Sequence, residues 1–174
     1  KIFSNGEGSA LMRSPELIER IVRAVSTATH IPTTVKIRSG ITADSINAVE
    51  CALAAEEGGA SEICIHGRTR EQMYGGLADR KIIKNVNDAL HIPLIANGDI
   101  LCAEDALSML RDTGADGIAI GRGAVGNPFI FEEVLCALEG REYTAPELSA
   151  RVETAILQLS EAVKEKGERV AIPE

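Results

Sequence analysis

Two hydrophobic periods alternate along this chain. Leu17, Ile18, Ile21, Val22 and Val25 recur at helical spacing behind Ser14-Pro15-Glu16. That triplet reads as a helix start, with Ser as cap, Pro at the first helical position and Glu at the positive end of the helix dipole. After His30-Ile31-Pro32 comes "TTVKIRSG", a β-branched run closed by Gly40. A second helix is predicted from Asp44 to Glu57, with Ile46, Val49, Leu53 and Ala54 on one face and Gly58-Gly59 stopping it. "SEICIHG" is the next strand, and Lys81 to Leu90 the next helix, with Ile82, Ile83 and Val86 apolar. His91-Ile92-Pro93 repeats the earlier entry and leads into "LIANGDI". Ala103 to Arg111 is helical, Gly114 ends it, and "DGIAIGRG" is the fourth strand. The strands close at Lys36, His66, Asn97 and Gly121, at intervals of 30, 31 and 24 residues. Strands alternating with helices in this way form βαβ units and a parallel sheet. Thr144-Ala145-Pro146 breaks the alternation. Beyond it Leu148, Val152, Ile156, Leu159 and Val163 make one further helical stripe, so residues 1–143 and 144–174 are expected to be separate units.

Side chains alternate across a strand, so parity sorts them. Val35 and Ile37 oppose Thr34, Lys36 and Arg38; Ile63 and Ile65 oppose Cys64 and His66; Ile118 and Ile120 oppose Ala119 and Gly121. The Val/Ile face suits packing against helices, while the other face carries a lysine, a histidine and small residues. Ile95 and Asn97 share a parity that lets Asn97 join the polar face. Lys36, His66, Asn97, Asp99 and Arg122 then gather at the carboxyl ends of the strands, where both open α/β sheets and (β/α) barrels bind ligands. A lone Lys on a strand is usually a surface residue, and an Asp after Gly is usually a turn. Four successive strands ending in polar or glycine-rich turns favour a site. Gly121, Gly123 and Gly126 around Arg122 suit close backbone approach to a phosphate after the last strand.

Composition narrows the partners. The 174 residues hold 45% hydrophobic and 25% charged residues, which suffices for a core, but only two Tyr, three Phe and no Trp. The core must be aliphatic. A formal net charge of −8 argues against a general nucleic-acid-binding surface but leaves room for a local basic patch. Cys51, Cys64, Cys102 and Cys136 stand too far apart for a CxxC metal motif, so reduced thiols, no metal and a cytoplasmic setting are expected. No apolar run reaches about 18 residues, so no membrane span is expected.

"TVKIRSG", "IHGRTREQMYGGLAD", "PLIANGDI" and "GADGIAIGRGAVGNPFIF" resemble, in order and spacing, the tRNA-dihydrouridine synthases. "GSALMRSPELI" and "EKGERVAIPE" are similar to the stretches that flank them in that family. The resemblance implies an enzyme that reduces uridine in tRNA with FMN as cofactor and NADPH as reductant. It implies an α/β fold, a (β/α) TIM barrel followed by a helical RNA-binding domain. Carried over by position, Lys36, His66, Asn97, Gly98, Asp99, Gly121 and Arg122 face the cofactor. Asp99 is expected to bond a ribityl hydroxyl or to order its loop, because a carboxylate beside a phosphate would repel it. Arg38, Arg68, Thr69 and Arg70 fall where RNA contacts are implied.

The family's proton donor is a cysteine in an Asn-x-Gly-Cys-Pro segment, expected upstream of Lys1; none of the four cysteines here stands in that motif. A complete barrel takes about 250 residues. The chain therefore reads as a barrel fragment, roughly strands five to eight, with the start of the helical domain. Two other functions remain open: another FMN barrel oxidoreductase of the dihydroorotate dehydrogenase type, and a catalytically inactive binding or assembly fragment. The first is disfavoured by the arginines of "HGRTR", which suit RNA better than a small acid. A half-barrel also leaves two sheet edges, so the isolated chain is expected to pair with itself.

Overall fold

The computed structural model describes residues 2–172; Lys1 and the Pro173-Glu174 end of the family-like tail lie outside them. Four strands, β1 (Thr34–Arg38), β2 (Glu62–His66), β3 (Leu94–Asn97) and β4 (Gly117–Ala119), form one parallel sheet in chain order. Between them run α1 (Pro15–Ala28) before β1, α2 (Ala48–Glu57), α3 (Arg80–Ala89) and α4 (Ala103–Thr113). The register sets Lys36 against Cys64, His66 against Asn97 and Asn97 against Ala119. The polar ends therefore share one rim, as the parity of the strands predicts.

The core lies on the helix side of the sheet. Ile37, Ile63, Ile65, Leu94 and Ala96 are buried there against Ile18 and Val22 of α1, Ile83 and Val86 of α3, and Ala106 and Met109 of α4. With no large aromatic available, β-branched strands and small helix residues fill this layer. The face of α2 differs from the predicted one. Ala48, Cys51, Ala52 and Ala55 are buried, whereas Leu53 is exposed. A face of small side chains lets this helix approach closely, which a Leu face would prevent. In α1, likewise, Ile18 and Val22 point inward while Leu17, Ile21 and Val25 remain exposed.

Several boundaries shift for identifiable reasons. Ser14 precedes α1 with Pro15 in the first turn, but its hydroxyl makes no capping bond; its carbonyl accepts from Leu17 and Ile18 instead. The second helix starts at Ala48 rather than Asp44. Ser45 bonds the Thr42 amide and its own amide bonds the Thr42 carbonyl, making a turn that competes with helix. Ile46 is then drawn into a bridge with Gly40, and the Asn47 amide donates to Ser39. The third strand ends at Asn97 because Gly98 (φ 138°) and Asp99 (φ 52°) turn the backbone out of extended geometry.

Beyond β4 stand a short 3-10 turn, Arg122–Ala124, and α5 (Ile130–Leu138), which is not among the elements read from the sequence. Ile130 and Val134 of α5 join the core. Then α6 (Leu148–Lys166) buries none of its residues, and Gly167 joins it to the short α7 (Glu168–Ala171). Among the described residues no helix is long and apolar enough to cross a membrane.

Candidate functional site

At the carboxyl rim a pocket of about 220 Å³ is lined by Lys36, Arg38, His66, Tyr74, Asn97–Leu101, Ala119 and Gly121–Gly123. Of the sequence-predicted cofactor residues, Lys36, His66, Asn97, Gly98, Asp99, Gly121 and Arg122 all converge on it. Lys36 Nζ donates to Asn97 Oδ1 at 3.0 Å and stands 3.3 Å from Cys64 Sγ. Asn97 Nδ2 in turn donates to the Ala119 carbonyl at 2.7 Å. One amide thus ties the carboxyl ends of β1, β3 and β4 together across the sheet.

Arg68 is 2% exposed and lies inside the loop between β2 and α3. Its Nε donates to Gly75 O at 3.1 Å and its Nη2 to Gly76 O at 2.6 Å and to both Asp99 oxygens at 2.7 and 2.8 Å. The Ala78 amide also donates to Asp99, at 2.7 Å. Burial acts to raise the Asp99 pKa most strongly, but the Ala78 amide, Arg68 and Arg122 together hold it below its ordinary value. These contacts tie Asp99 to the loop between β2 and α3. Thr69 is buried as well, bonding the Gln72 amide, whereas Arg38 is half-buried and Arg70 exposed. Of the four positions marked for RNA contact, only these two arginines offer themselves at the surface. The guanidinium of Arg38 donates to the Thr69 carbonyl at 3.0 Å, holding the loop over the rim.

His66 Nε2 lies 3.4 Å from Arg68 Nη1. A guanidinium only donates, so Nε2 accepts and the ring proton sits on Nδ1. Burial, with Arg38, Lys36 and Arg68 around it, pulls its pKa down to about 4, so the ring is neutral at neutral pH. Arg122 donates to Asp99 Oδ1 at 3.2 Å and lies 4.7 Å from the Tyr74 ring, a partner with no signal in the sequence pattern. Its side chain is still half exposed. At Gly121 a side-chain carbon would meet no atom within 4 Å, so the backbone there borders open space. Lys36, Arg38 and Arg122 face a single carboxylate, Asp99, already matched by Arg68. An anion with an extended polar group fits this donor set, as a phosphate-bearing cofactor does.

A family model described as dihydrouridine synthase matches residues 1–172. The tRNA-dihydrouridine synthase B of Xanthomonas axonopodis pv. citri (strain 306) is 42% identical over 163 residues, 94% of this chain and 49% of that protein. The tRNA-dihydrouridine synthase B of Vibrio cholerae serotype O1 is 47% identical over 148 residues, 85% of this chain and 46% of that protein. This chain spans about half the length of the curated relatives it matches. Among solved structures, a mandelate oxidase with (S)-mandelic acid aligns at a TM-score of 0.47 and 21% identity, covering 72% of this chain and 50% of that one.

Proposed function

Matched along almost its whole length, this chain belongs to the dihydrouridine synthase family, and from that premise we propose that it carries the cofactor- and RNA-facing rim of an enzyme that reduces uridine to 5,6-dihydrouridine in cytoplasmic tRNA. The observation that carries the proposal is the cation-lined pocket at the carboxyl rim, built from Lys36, Arg38, His66, Asn97 and Arg122. Family membership favours this reaction over the dihydroorotate dehydrogenase type.

The residues fit FMN. When bound, FMN would supply hydride chemistry for the uracil 5,6 double bond, with NADPH as its reductant. Arg122, kept in place by Asp99 and Tyr74, would hold the phosphate end beside Gly121. Lys36, aligned by Asn97, would present its ammonium to the ring or its polar chain. Neutral His66 presents its Nδ1 proton as a hydrogen-bond donor. The target base must leave its stack to reach this rim, and Arg38 and Arg70 hold the neighbouring RNA backbone. The resemblance puts the proton donor on a cysteine preceding Lys1. Cys51 and Cys136 are buried, and Cys64 is turned toward Lys36.

The four strands are consistent with strands five to eight of a (β/α) barrel, and residues 144–174 with the start of a helical RNA-binding unit. Without the remainder of a barrel, the chain pairs with a second copy through its open edges.

Titration of apo-protein with FMN, followed by flavin absorbance, tests the pocket. Arg122→Ala is expected to weaken binding by about 1.5–3 kcal/mol through loss of a charge-assisted phosphate contact. An unchanged dissociation constant would put the phosphate elsewhere.

A further inference from the structure

A second group of cations stands apart from the pocket. Phe3 lies in a 3-10 turn, Phe3–Asn5, and Arg13 ends another, Gly8–Arg13. The Arg13 guanidinium lies 4.9 Å from the centroid of the Phe3 ring, and that of Arg70 lies 4.3 Å from it. The two arginines come from segments 57 residues apart in sequence and meet on one aromatic ring. Both are exposed, and the half-buried ring backs them. Among the described residues, neither guanidinium has a carboxylate within ion-pairing distance. In the pocket, by contrast, Arg68 and Arg122 both pair with Asp99.

This arrangement is fixed in place. The Arg70 amide donates to Gly40 O at 2.9 Å and the Glu71 amide to Ile41 O at 3.0 Å. The loop is thereby stitched to the segment that leaves β1, two residues beyond Arg38. The cluster therefore flanks the pocket on the β1 side, while Arg122 closes it on the β4 side. Two like charges sharing one ring repel each other, and among the described residues no carboxylate pairs with either. In a chain with 26 acidic and 18 basic residues, such a pair is suited to an anion that arrives from outside. Guanidinium groups recognise phosphate oxygens bidentately, and an aromatic backing restricts the side chains without neutralising them.

We infer that Phe3, Arg13 and Arg70 form a phosphate-backbone contact for the RNA beside the target nucleotide, outside the pocket that receives the base. This rests on the tRNA reading and adds Phe3 and Arg13 to its contact surface. A base drawn out of its stack needs the backbone next to it anchored, and the cluster stands on the rim where that backbone passes.

The test uses the full-length protein that carries this chain. Arg13→Gln, Arg70→Gln, the double variant, Arg13→Lys and Phe3→Leu are titrated with an unmodified tRNA transcript over a range of NaCl concentrations. Each Gln variant is expected to weaken binding roughly three- to tenfold and to flatten the log–log salt slope by about one. Arg13→Lys keeps the slope, and Phe3→Leu weakens binding while leaving the slope unchanged. The KM for tRNA rises in the Gln variants, with kcat and FMN content unaltered. If the wild-type protein binds tRNA and the double variant matches it in affinity and slope, the inference is wrong. A lowered melting temperature with an unchanged slope overturns it too, since the cluster would then only staple the N-terminal segment. If the wild-type protein binds no tRNA at all, the tRNA reading itself fails.

Discussion

Asp99 shows how one residue can combine an unfavourable backbone with several favourable contacts. Its positive φ is rare outside glycine but tolerated by Asp and Asn, whose short polar side chains bond locally. There it meets the buried Arg68, the Ala78 amide and Arg122. Asp99→Asn keeps the backbone and removes the charge, leaving Arg68 buried without a counter-ion. We expect a loss of about 3 kcal/mol by denaturant unfolding, and a much smaller loss in an Arg68→Met background. Equal losses in both backgrounds would mean that the pair is not the source. His66 sets a pH dependence of the opposite kind to a salt-bridged histidine. Its folded pKa, about 4, lies below the unfolded value near 6.5, so between those values only the unfolded chain takes up the proton. Stability from this group is full above about pH 6.5 and falls as the pH drops toward 4, by about 1 kcal/mol at pH 5 after allowance for solvent screening. Asp99 adds a loss at still lower pH, as the solution falls through its depressed pKa. Melting curves at pH 7 and 5 should separate, and His66→Gln should narrow the gap. The polar rim was legible because strand parity is strict. The burial of Arg68 was not, since an arginine after a strand reads as surface until the carbonyls of Gly75 and Gly76 are seen folded over it.

At the level of elements, the strand–helix alternation carried the sheet order and the side that faces the helices. Turn chemistry decided what it could not. The Thr42–Ser45 turn cut four residues from the predicted start of α2, and Ile46 went to a bridge. The helix α5 stayed hidden because its apolar residues follow a glycine- and proline-rich stretch that reads as loop. The β3 exit is the most constrained joint. A side-chain carbon on Gly98 would lie 2.5 Å from Ala78 Cβ and 3.3 Å from His66 Cδ2, at a φ of 138°. Gly98→Ala should therefore cost more than about 1 kcal/mol and displace His66 as well. A variant as stable as the parent, with unchanged ligand binding, would contradict that account.

The molecule as a whole is more open than its mass predicts. A compact monomer of 18.5 kDa exposes about 8,200 Å² by the usual scaling, yet this chain exposes 10843 Å². Part of the excess is α6, with Leu148, Ile156 and Leu157 each more than half exposed. Another part is the β1 edge, where a cavity of about 620 Å³ opens between β1 and α1, lined by Leu11, Met12, Ile18, Ile21, Val25 and Val35 among others. An unpaired edge beside apolar surface recruits another strand. Light scattering on the 174-residue chain should report self-association. A stable monomer at high concentration would show both edges to be protected. The same isolated chain should make no dihydrouridine from unmodified tRNA with FMN and NADPH, since none of its four cysteines stands in the Asn-x-Gly-Cys-Pro motif to which the resemblance assigns the proton donor. Turnover above a protein-free control would identify a different acid.

Tyr74 sits at the mouth of the pocket against Arg122, and the chain has no tryptophan and one other tyrosine, Tyr143. That gives the 174-residue chain a fluorophore placed where a ligand must pass, with almost nothing in the same 174 residues to outshine it. In a Tyr143→Phe variant all remaining tyrosine emission comes from the pocket, so quenching on addition of a flavin or of RNA would read occupancy directly, without a label.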